Sequence, residues 1–436
     1  MADTLPPTAD PDDATGWLVR HDGALFAEGV PLARIAAAVG TPFYAYSAAT
    51  LRASYASLSA AVAPHGVDVY FAVKANGNRH VLAEFARLGA GMDIVSGGEL
   101  ARAIAAGTPP GRIIFSGVGK TGAEIRAALQ AGLFQINVES PAELEVVAEA
   151  ARELGLRAPV ALRVNPDVDA RTHAKITTGR KDSKFGIPAP EVPALYAAAA
   201  ARPELQIVGL ALHIGSQIVD LAPFRQAWTT VAALVRDLRA AGQRVERLDL
   251  GGGLGIGDDG HPGPDIAEYA RAIGQTVGGM GLALNVEPGR WLCGRAGVLV
   301  AKVLYLKPGD GADFVIVDAA MNDLMRPALY DARHAVATVR ALRPARDARP
   351  FRLVGPICES SDDFGTYQDL GTLHAGDLLV FGDAGAYGAS MSSTYNSRAL
   401  IPEVLVDGDQ FRVIRRRQET HDMLQLEQEG PWQRAE

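Results

Sequence analysis

The chain has 436 residues, enough for two or three domains, and its 48% hydrophobic and 21% charged content is typical of a folded globular protein. Lysine and arginine number 42 against 50 acidic residues, and this net charge of −8 argues against a nucleic-acid partner. The two cysteines, Cys293 and Cys358, exclude a disulfide framework and a four-cysteine zinc site, so we expect a reducing, cytoplasmic location.

The N-terminal part of the chain precedes the main repeat. Residues 1–15 are acidic and proline-rich, without the basic start and apolar core of a signal peptide, and we predict a disordered tail there. Residues 16–45 form an N-terminal segment, part of which we expect to join a β-rich domain later in the chain. No stretch of the sequence approaches the roughly 18 uncharged apolar residues of a membrane span, so no membrane partner is predicted.

From about residue 66, short β-branched runs alternate with alanine-rich stretches whose apolar residues recur at three- and four-residue spacing. This alternation indicates parallel strands joined by helical crossovers. Eight strands is the number that closes a (β/α)8 TIM-like barrel, which we predict over 46–292 in an α/β fold, and an open doubly wound sheet is the alternative. The predicted strands are 67–73, 91–96, 112–116, 133–138, 159–164, 206–212, 245–250 and 282–287.

Beyond about residue 290 the pattern changes. Strand-like runs are separated by Gly, Pro and Asp turns, with few helical stretches between them. We therefore predict a C-terminal β-rich domain, sandwich-like or barrel-like, over 293–436. Its predicted strands lie within 296–309, 313–320, 351–360, 376–387 and 403–417.

Polar residues cluster where the predicted barrel strands end, which is where barrels carry their chemistry. Lys74 follows the first strand, and an apolar surrounding would favour Schiff-base chemistry there, although a solvated lysine is the alternative. The glycines at 251–253 follow the seventh strand and could approach a phosphate or form an ordinary turn. His213 and Glu287 follow the sixth and eighth strands, where a core histidine and a surface turn are the alternatives. Together these residues favour a phosphate-anchored aldehyde cofactor, and the histidine spacing indicates no metal.

Seven motifs in order identify a family resemblance. FAVKAN, HIGSQ, DLGGGLGI, EPGR, MNDLMRPALY, GPICES and GDAGAYG resemble the motifs of diaminopimelate decarboxylases, pyridoxal-phosphate enzymes of the alanine-racemase-like fold. The resemblance runs from about residue 40 to the C-terminal region. It implies a (β/α)8 barrel followed by a β-domain, pyridoxal 5'-phosphate as cofactor, and decarboxylation of the amino acid meso-2,6-diaminopimelate to L-lysine and CO₂, the last step of lysine biosynthesis.

The resemblance also implies roles for individual residues. Lys74 would bond to the cofactor and Cys358 would donate a proton, reaching across from the partner subunit of a homodimer whose active sites lie at the interface. The implied cofactor-binding residues are Lys74, Asp93, His213, Ser216, Gly253, Glu287, Gly289, Arg290 and Tyr387. The implied substrate-binding residues are Arg290, Arg326, Tyr330, Glu359 and Tyr387.

Other activities share this fold. Ornithine, arginine and carboxynorspermidine decarboxylases are the main alternatives, but the Cys358-Glu359-Ser360 order and the spacing of Arg326 and Tyr330 resemble the diaminopimelate type. The segment 175–188 resembles the active-site loop of the family. A homologue diverted to another amino acid is a further alternative. A non-catalytic protein that binds pyridoxal phosphate is disfavoured because both Lys74 and Cys358 are present.

Overall fold

The computed structural model divides the chain into two compact units. One unit consists of Ala48–Ala296, and the other combines the chain segments before and after it. The predicted tail at 1–15 and part of the predicted loop at 175–188 lie outside the described residues. The structure describes residues 16–434, apart from 171–172, 174, 176–177, 180–182, 258–262, 344–348 and 369.

The N-terminal segment contributes a small sheet, a helix and one strand that pairs with strands much later in the chain. Strands β1, β2 and β3 pair antiparallel, and helix α1 follows them with Leu32 and Ile35 buried. The elements of this segment are β1 (Leu18–His21), β2 (Ala24–Ala27), β3 (Val30–Pro31), α1 (Leu32–Val39) and β4 (Phe43–Ser47).

Eight parallel strands close into a barrel in the unit Ala48–Ala296. The order of the ring is β5-β6-β7-β8-β9-β11-β12-β13, and β13 pairs back onto β5, while the short β10 adds to β9. This closure confirms the predicted barrel and excludes the open sheet. The strands are β5 (Val67–Ala72), β6 (Gly91–Ile94), β7 (Ile113–Phe115), β8 (Gln135–Val138), β9 (Ala158–Asn165), β10 (Ile187–Pro188), β11 (Leu205–Leu212), β12 (Arg247–Asp249) and β13 (Ala283–Val286).

Capping residues and glycines set the ends of the barrel helices. Thr121 and Glu124 form a capping box at the start of the helix Gly122–Ala131, and Gly132 ends this helix in the left-handed region at φ 75°. The strand ends are thereby separated from the helices by short, defined turns. The helices are α2 (Ala48–Val62), α3 (Arg79–Arg87), α4 (Gly97–Ala105), α5 (Gly122–Ala131), α6 (Pro141–Leu154), α7 (Val192–Ala200), α8 (Ala222–Ala240), α9 (Ile266–Val277) and α10 (Arg290–Cys293).

The second unit is rich in β-structure, as predicted. Its longest strand, β14, pairs with β15, β19 and the N-terminal strand β4, and β4 also pairs in parallel with β20. Apolar residues of these strands form its core, including Phe43, Val298 and Val404. The elements are β14 (Gly297–Lys307), β15 (Asp313–Val317), α11 (Arg326–Tyr330), β16 (Val336–Thr338), β17 (Phe351–Val354), β18 (Asp363–Tyr367), β19 (Leu378–Phe381), β20 (Glu403–Asp407), β21 (Gln410–Arg415) and α12 (Thr420–Leu424).

Candidate active site

A cavity of about 400 Å³ lies at the carboxyl ends of the barrel strands. Its wall includes three of the residues predicted from the sequence, Lys74, His213 and Glu287. Its size is within the range of small-molecule sites. The lining residues are Lys74, Val95, Ser116, Gly117, Val118, Gly119, Asn137, Arg163, Thr178, Phe185, Ala211, Leu212, His213 and Glu287.

Lys74 and Asp93 form an ion pair at the cavity. Lys74 lies in a short 3-10 turn directly after β5, and its Nζ is 2.8 Å from Oδ2 of Asp93 on the neighbouring strand β6. The side chain of Asp93 is fully buried, whereas that of Lys74 is 34% exposed. The carboxylate therefore fixes the amine at the edge of the cavity while leaving it accessible.

His213 directly follows β11 and has a neutral ring. Burial lowers the pKa of His213 well below its usual value, and the positive charges of Arg163 and Lys74 lower it further. The Gly252 N–H donates to Nδ1 of the ring over 3.2 Å. Because Nδ1 accepts this hydrogen bond, the ring proton is on Nε2.

The turn after β12 can be built only from glycine. Gly251 and Gly253 have φ values of 73° and 103°, in the region that favours glycine. A Cβ on Gly251 would collide with the carbonyl oxygen of Leu212, and one on Gly253 would collide with that of Gly215. The turn thus exposes backbone close to the cavity, which suits a bound phosphate.

Arg290, Ser216 and Gly289 form a second polar group in the barrel unit. Arg290 is 6% exposed, and its Nη2 lies 3.2 Å from Ser216 Oγ. A Cβ on Gly289 would approach that of Ala75 to 2.9 Å, closer than real contacts, and that of Ala72 to 3.1 Å, closer than most of them. A glycine is therefore required where this turn meets the chain around Lys74.

Glu287 directly follows β13 and is buried, with a carboxyl that hydrogen-bonds to that of Asp249 on β12. Burial raises the pKa of Glu287 well above its usual value, and the negative charges of Asp249 and Asp93 add to the increase. Asp249 was not predicted as a site residue. The signal for it in the sequence is a carboxylate within a short apolar strand, immediately before Leu250 and the glycines.

A buried ion pair without a predicted role supports the cavity wall. Arg163 Nη1 lies 2.6 Å from Oε1 of Glu139, and both side chains are buried. Glu139 also accepts hydrogen bonds from the N–H groups of Gly117 and Gly186, over 3.1 and 2.9 Å. The Arg163 guanidinium lies over the ring of Phe185, with 4.9 Å to its centroid. These contacts join three loops at the strand ends.

The other predicted site residues lie in the β-rich unit. Two neighbouring residues hold the Cys358-Glu359 dipeptide: Tyr395 donates its hydroxyl to the Glu359 carboxylate, and Asn396 Oδ1 accepts the Cys358 N–H over 3.2 Å. Hydrogen bonds from Tyr395 and Ser361 lower the pKa of Glu359, which favours the carboxylate. Cys358 is exposed and Cys293 is buried.

Arg326 and Tyr330 begin and end the helix α11 of the β-rich unit. Arg326 Nη1 lies 3.1 Å from Nε2 of His334, whose Nδ1 lies 2.7 Å from the Gly382 carbonyl oxygen. Since a carbonyl can only accept, the His334 proton is on Nδ1 and Nε2 accepts from Arg326. Tyr387 adopts a left-handed backbone conformation, with φ 56°.

The described part of the chain shows neither a cluster of metal-ligating side chains nor a membrane-spanning helix. Among the described residues, no group of three or more His, Cys, Asp or Glu side chains is arranged to hold a metal ion. Over the same residues, no helix has both the length and the apolar character needed to cross a membrane.

Comparisons with known proteins give the class and then the family. A family model described as "Pyridoxal-dependent decarboxylase, pyridoxal binding domain" matches residues 48–294. Diaminopimelate decarboxylase from Pseudomonas aeruginosa is 51% identical, covering 92% of this chain and 96% of its own. The enzyme of that name from Zymomonas mobilis is 46% identical, covering 94% of this chain and 98% of its own.

Solved structures agree with these sequence matches. The crystal structure of diaminopimelate decarboxylase from Helicobacter pylori complexed with L-lysine has a TM-score of 0.86 at 38% identity, covering 91% of this chain and 99% of that one. The enzyme from M. jannaschii in co-complex with L-lysine has a TM-score of 0.89 at 34% identity, covering 97% and 99%.

The fold and the barrel-mouth cavity are therefore those of a pyridoxal-phosphate-dependent decarboxylase. Within that class, the chain belongs to the diaminopimelate decarboxylase family. This membership confirms the predicted family, the fold class, the carboxy-lyase activity and the cofactor.

Proposed function

We propose that this enzyme decarboxylates meso-2,6-diaminopimelate to L-lysine and CO₂, the last step of lysine biosynthesis. Relatives that cover more than nine-tenths of the chain carry this activity in their names, and two of the similar structures hold L-lysine, the expected product. The observation that carries the proposal is the barrel-mouth cavity, because Lys74, His213 and Glu287 all line it.

The cavity fits pyridoxal phosphate on its own structural features. Lys74 offers a primary amine at the cavity wall, and Glu287 offers a buried carboxyl. The turn at Gly251 and Gly253 leaves no room for side chains, so its backbone can lie against a phosphate. Arg290 supplies a cation in the same unit. An amine, a carboxyl and an anion site are the three groups that this cofactor needs.

Each of these residues has a distinct task in our proposal. When bound, pyridoxal phosphate supplies an electron sink for the electron pair left as CO₂ departs. Lys74 would hold the cofactor covalently, and Asp93 keeps the Lys74 amine in position. The neutral His213 ring would support the cofactor ring. Glu287 would pair with the pyridine nitrogen.

The phosphate would be held by Ser216, Gly253 and the turn at Gly289 and Arg290, with Tyr387 nearby. Backbone N–H groups and a guanidinium bind phosphate oxygens well because both are fixed donors. The Arg290–Ser216 hydrogen bond supports this grouping within the barrel unit.

The distal end of the substrate carries one carboxylate and one ammonium group. We assign the carboxylate to Arg290, Arg326 and Tyr330, because guanidinium groups bind carboxylates with two parallel hydrogen bonds. We assign the ammonium group to Glu359. The hydrogen bonds from Tyr395 and Ser361 support this role because they favour the ionised carboxylate.

Cys358 donates the proton that replaces the lost carboxyl group, and we place it in the site of the partner subunit of a homodimer. Its S–H bond breaks as a C–H bond forms on the carbon that released CO₂, and solvent returns the proton to the thiolate. The exposure of Cys358 supports this role, since a buried thiol could not reach a substrate bound elsewhere. We further propose a cytoplasmic location, consistent with two free cysteines, and domain limits of 46–292 and 293–436.

The test is CO₂ release by the purified enzyme from meso-diaminopimelate, ornithine and arginine, measured side by side. We expect release from meso-diaminopimelate, with L-lysine formed in equal amount, and little from the other two. Ornithine and arginine lack the distal carboxylate that the arginines are proposed to bind. Release from ornithine or arginine but not from meso-diaminopimelate would overturn the proposed substrate.

A further inference from the structure

Asp249 and Glu287 form a pair of carboxyl groups at the wall of the active-site cavity. Asp249 is the last residue of β12, Glu287 directly follows the adjacent strand β13, and the two side chains hydrogen-bond to each other. Asp249 is fully buried and Glu287 is 5% exposed. Glu287 lines the cavity whereas Asp249 does not, so Asp249 is not placed to touch a ligand there directly.

A network of hydrogen bonds fixes Asp249 as an acceptor. Its Oδ1 accepts from the Gly251 N–H over 2.9 Å, and its Oδ2 accepts from Asn137 Nδ2 over 2.9 Å. Asn137 Nδ2 also donates to Ser116 Oγ, and Asn137 Oδ1 accepts from Gln135 Nε2. Since both carboxylate oxygens receive a donor, Asp249 is the ionised member of the pair.

The single proton of the pair therefore lies on Glu287, whose O–H donates to Asp249. Among the described residues, no donor hydrogen-bonds to the buried Glu287 Oε1. Two further charged groups act on Glu287, Asp93 on β6 and the Lys74 ammonium. Burial raises the pKa of Glu287, with Asp249 and Asp93 raising it further and Lys74 opposing them. Two buried carboxyl groups in contact hold one proton between them.

We propose that Asp249 is a positioning residue that acts through Glu287. Before the cofactor binds, Asp249 keeps one proton on Glu287, and after binding it keeps that proton on the pyridine nitrogen. The inference rests on the role proposed above for Glu287. As the ring binds, the O–H bond of Glu287 breaks and an N–H bond forms on the nitrogen. The net charge of the group does not change, because the pair goes from one negative charge to two as the nitrogen gains one positive charge.

The reason for a second carboxylate is electrostatic. One carboxylate can hydrogen-bond to a ring nitrogen, but in a buried site two negative charges hold the proton on nitrogen more strongly than one. Asp249 adds that charge without occupying space in the cavity. The hydrogen bonds from Gly251 and Asn137 offset its desolvation, so the charge remains after Glu287 gives up its proton.

The test uses the Asp249→Asn holoenzyme with pyridoxal phosphate labelled with ¹⁵N in the ring, because the nitrogen chemical shift reports its protonation. The wild-type nitrogen is expected to stay protonated between about pH 6 and 9, and that of Asp249→Asn to lose its proton within this range. Apoenzyme titrated with pyridoxal phosphate should bind on the order of 10- to 100-fold more weakly in the variant. The matched control, Asp68→Asn, removes an exposed carboxylate near the start of β5 and should behave as the wild type.

The outcomes separate this inference from the assignment on which it rests. A nitrogen that stays protonated in Asp249→Asn, with Glu287→Gln changing both protonation and affinity, would overturn only the inference about Asp249. If Glu287→Gln also leaves both unchanged, the role proposed for Glu287 fails as well. Weaker binding in Asp249→Asn with an unchanged nitrogen shift would mean a merely structural role and would also overturn the inference.

A measurement on the wild type keeps the inference testable if Asp249→Asn does not fold. The infrared spectrum of the apoenzyme should contain the C=O band of a protonated carboxylic acid, and that band should disappear when pyridoxal phosphate binds. In Glu287→Gln, no protonated carboxyl band should be lost when pyridoxal phosphate binds. A wild-type difference spectrum without any loss of a protonated carboxyl band would overturn the proposed proton transfer.

Discussion

Lys74 combines two requirements, because its amine must reach a ligand and yet be held in place. The 2.8 Å contact with Asp93 fixes it, and its one-third exposure keeps it accessible. A single substitution should therefore remove cofactor attachment without removing the barrel, since the Lys74 side chain is not part of the packed core.

We expect Lys74→Ala to be colourless after purification, because the cofactor loses its covalent attachment, whereas the wild type is yellow. Visible absorbance spectra of the two proteins test this. The control is Lys302→Ala, which removes an exposed lysine on β14 and should keep the colour. A visible absorbance band of wild-type strength in Lys74→Ala would contradict the assignment of the attachment site.

Asp323, in the MNDLMRPALY motif, couples stability to pH. Burial raises the pKa of Asp323 to about 7, although the Ala320 N–H and the Arg398 charge oppose the increase. Between about pH 4 and 7 the folded chain keeps a proton that the unfolded chain loses, so this residue makes the protein less stable as the pH rises. The nearby carboxylates of Asp318 and Asp362 also raise the pKa of Asp323.

Replacing Asp323 by Asn removes this titration but keeps an oxygen to accept the Ala320 N–H. The free energy of unfolding of Asp323→Asn should therefore rise relative to that of the wild type by up to about 1.4 kcal/mol per pH unit between about pH 4 and 7. Denaturant unfolding of both proteins at several pH values tests this, with pH 4 as the internal reference. A difference that is constant over this range would contradict the raised pKa.

At the scale of elements, the turn after β12 connects backbone geometry to cofactor binding. Gly253→Ala forces a Cβ onto a residue with φ 103° and against the Gly215 carbonyl oxygen. Strain of this kind costs about 1–3 kcal/mol, and relieving it must move the turn away from its position at the cavity. We expect a lower free energy of unfolding and weaker binding of pyridoxal phosphate, both measured on the same preparation.

The control for this turn is Gly111→Ala, in the 3-10 turn Pro110–Arg112. A Cβ on Gly111 would meet no atom within 4 Å, and its φ is not positive. We expect its unfolding free energy to change by less than about 0.5 kcal/mol and cofactor affinity to be retained. If Gly253→Ala and Gly111→Ala changed the unfolding free energy and the cofactor affinity equally, the Gly253 turn would have no special role.

The barrel strands could be predicted closely because each is a short buried run between a helix-ending turn and a polar strand end. The predicted strand 206–212, for example, is Leu205–Leu212 in the structure. The β-rich unit was predicted less well. The run 351–360 is a strand only as far as Val354, because Gly355 and Pro356 break it. Beyond this point, Asp362 holds the chain by accepting the N–H of Ile357.

Strand β18 was missed for a related reason. Its sequence, Asp363–Tyr367, is polar and contains a glycine, and it lies at the edge of its sheet with β17 as its neighbour. An edge strand of this kind has no continuous apolar pattern to detect. Asp249 was missed for a different reason. Its strand was predicted, but its proposed role depends on Glu287, which is far away in the sequence.

At the scale of the whole molecule, the site residues fall into two classes. Lys74, His213 and Glu287 of the barrel could be predicted from topology, because parallel strands bring their carboxyl ends together. Ser216, in contrast, was assigned through the family resemblance. Those of the β-rich unit, including Arg326, Cys358 and Glu359, follow no repeat and were assigned only through the family resemblance. Part of the N-terminal segment was expected to join the β-rich domain, but the sequence did not identify β14 as the partner of β4, because their pairing joins distant parts of the chain.

The proposed homodimer can be tested by mixing two inactive variants, because a site shared between subunits regains activity only when both chains are present. Lys74→Ala and Cys358→Ala should each lower turnover by about 100-fold or more, since one loses cofactor attachment and the other the proton donor. When the two variants are mixed under conditions that allow subunits to exchange, half of the dimers contain one chain of each kind. If Cys358 serves the partner's site, each mixed dimer has one intact site, so turnover should recover to about a quarter of that of the wild type.

The recovery depends on which chain supplies the thiol. If Cys358 served the Lys74 of its own chain, both sites of a mixed dimer would lack one group, and mixing would restore nothing. Exchange of Lys74→Ala with itself is the control and should stay inactive. A molar mass of one chain in light scattering, together with full turnover of the wild type, would contradict the shared site outright, because a monomer has no partner to supply Cys358.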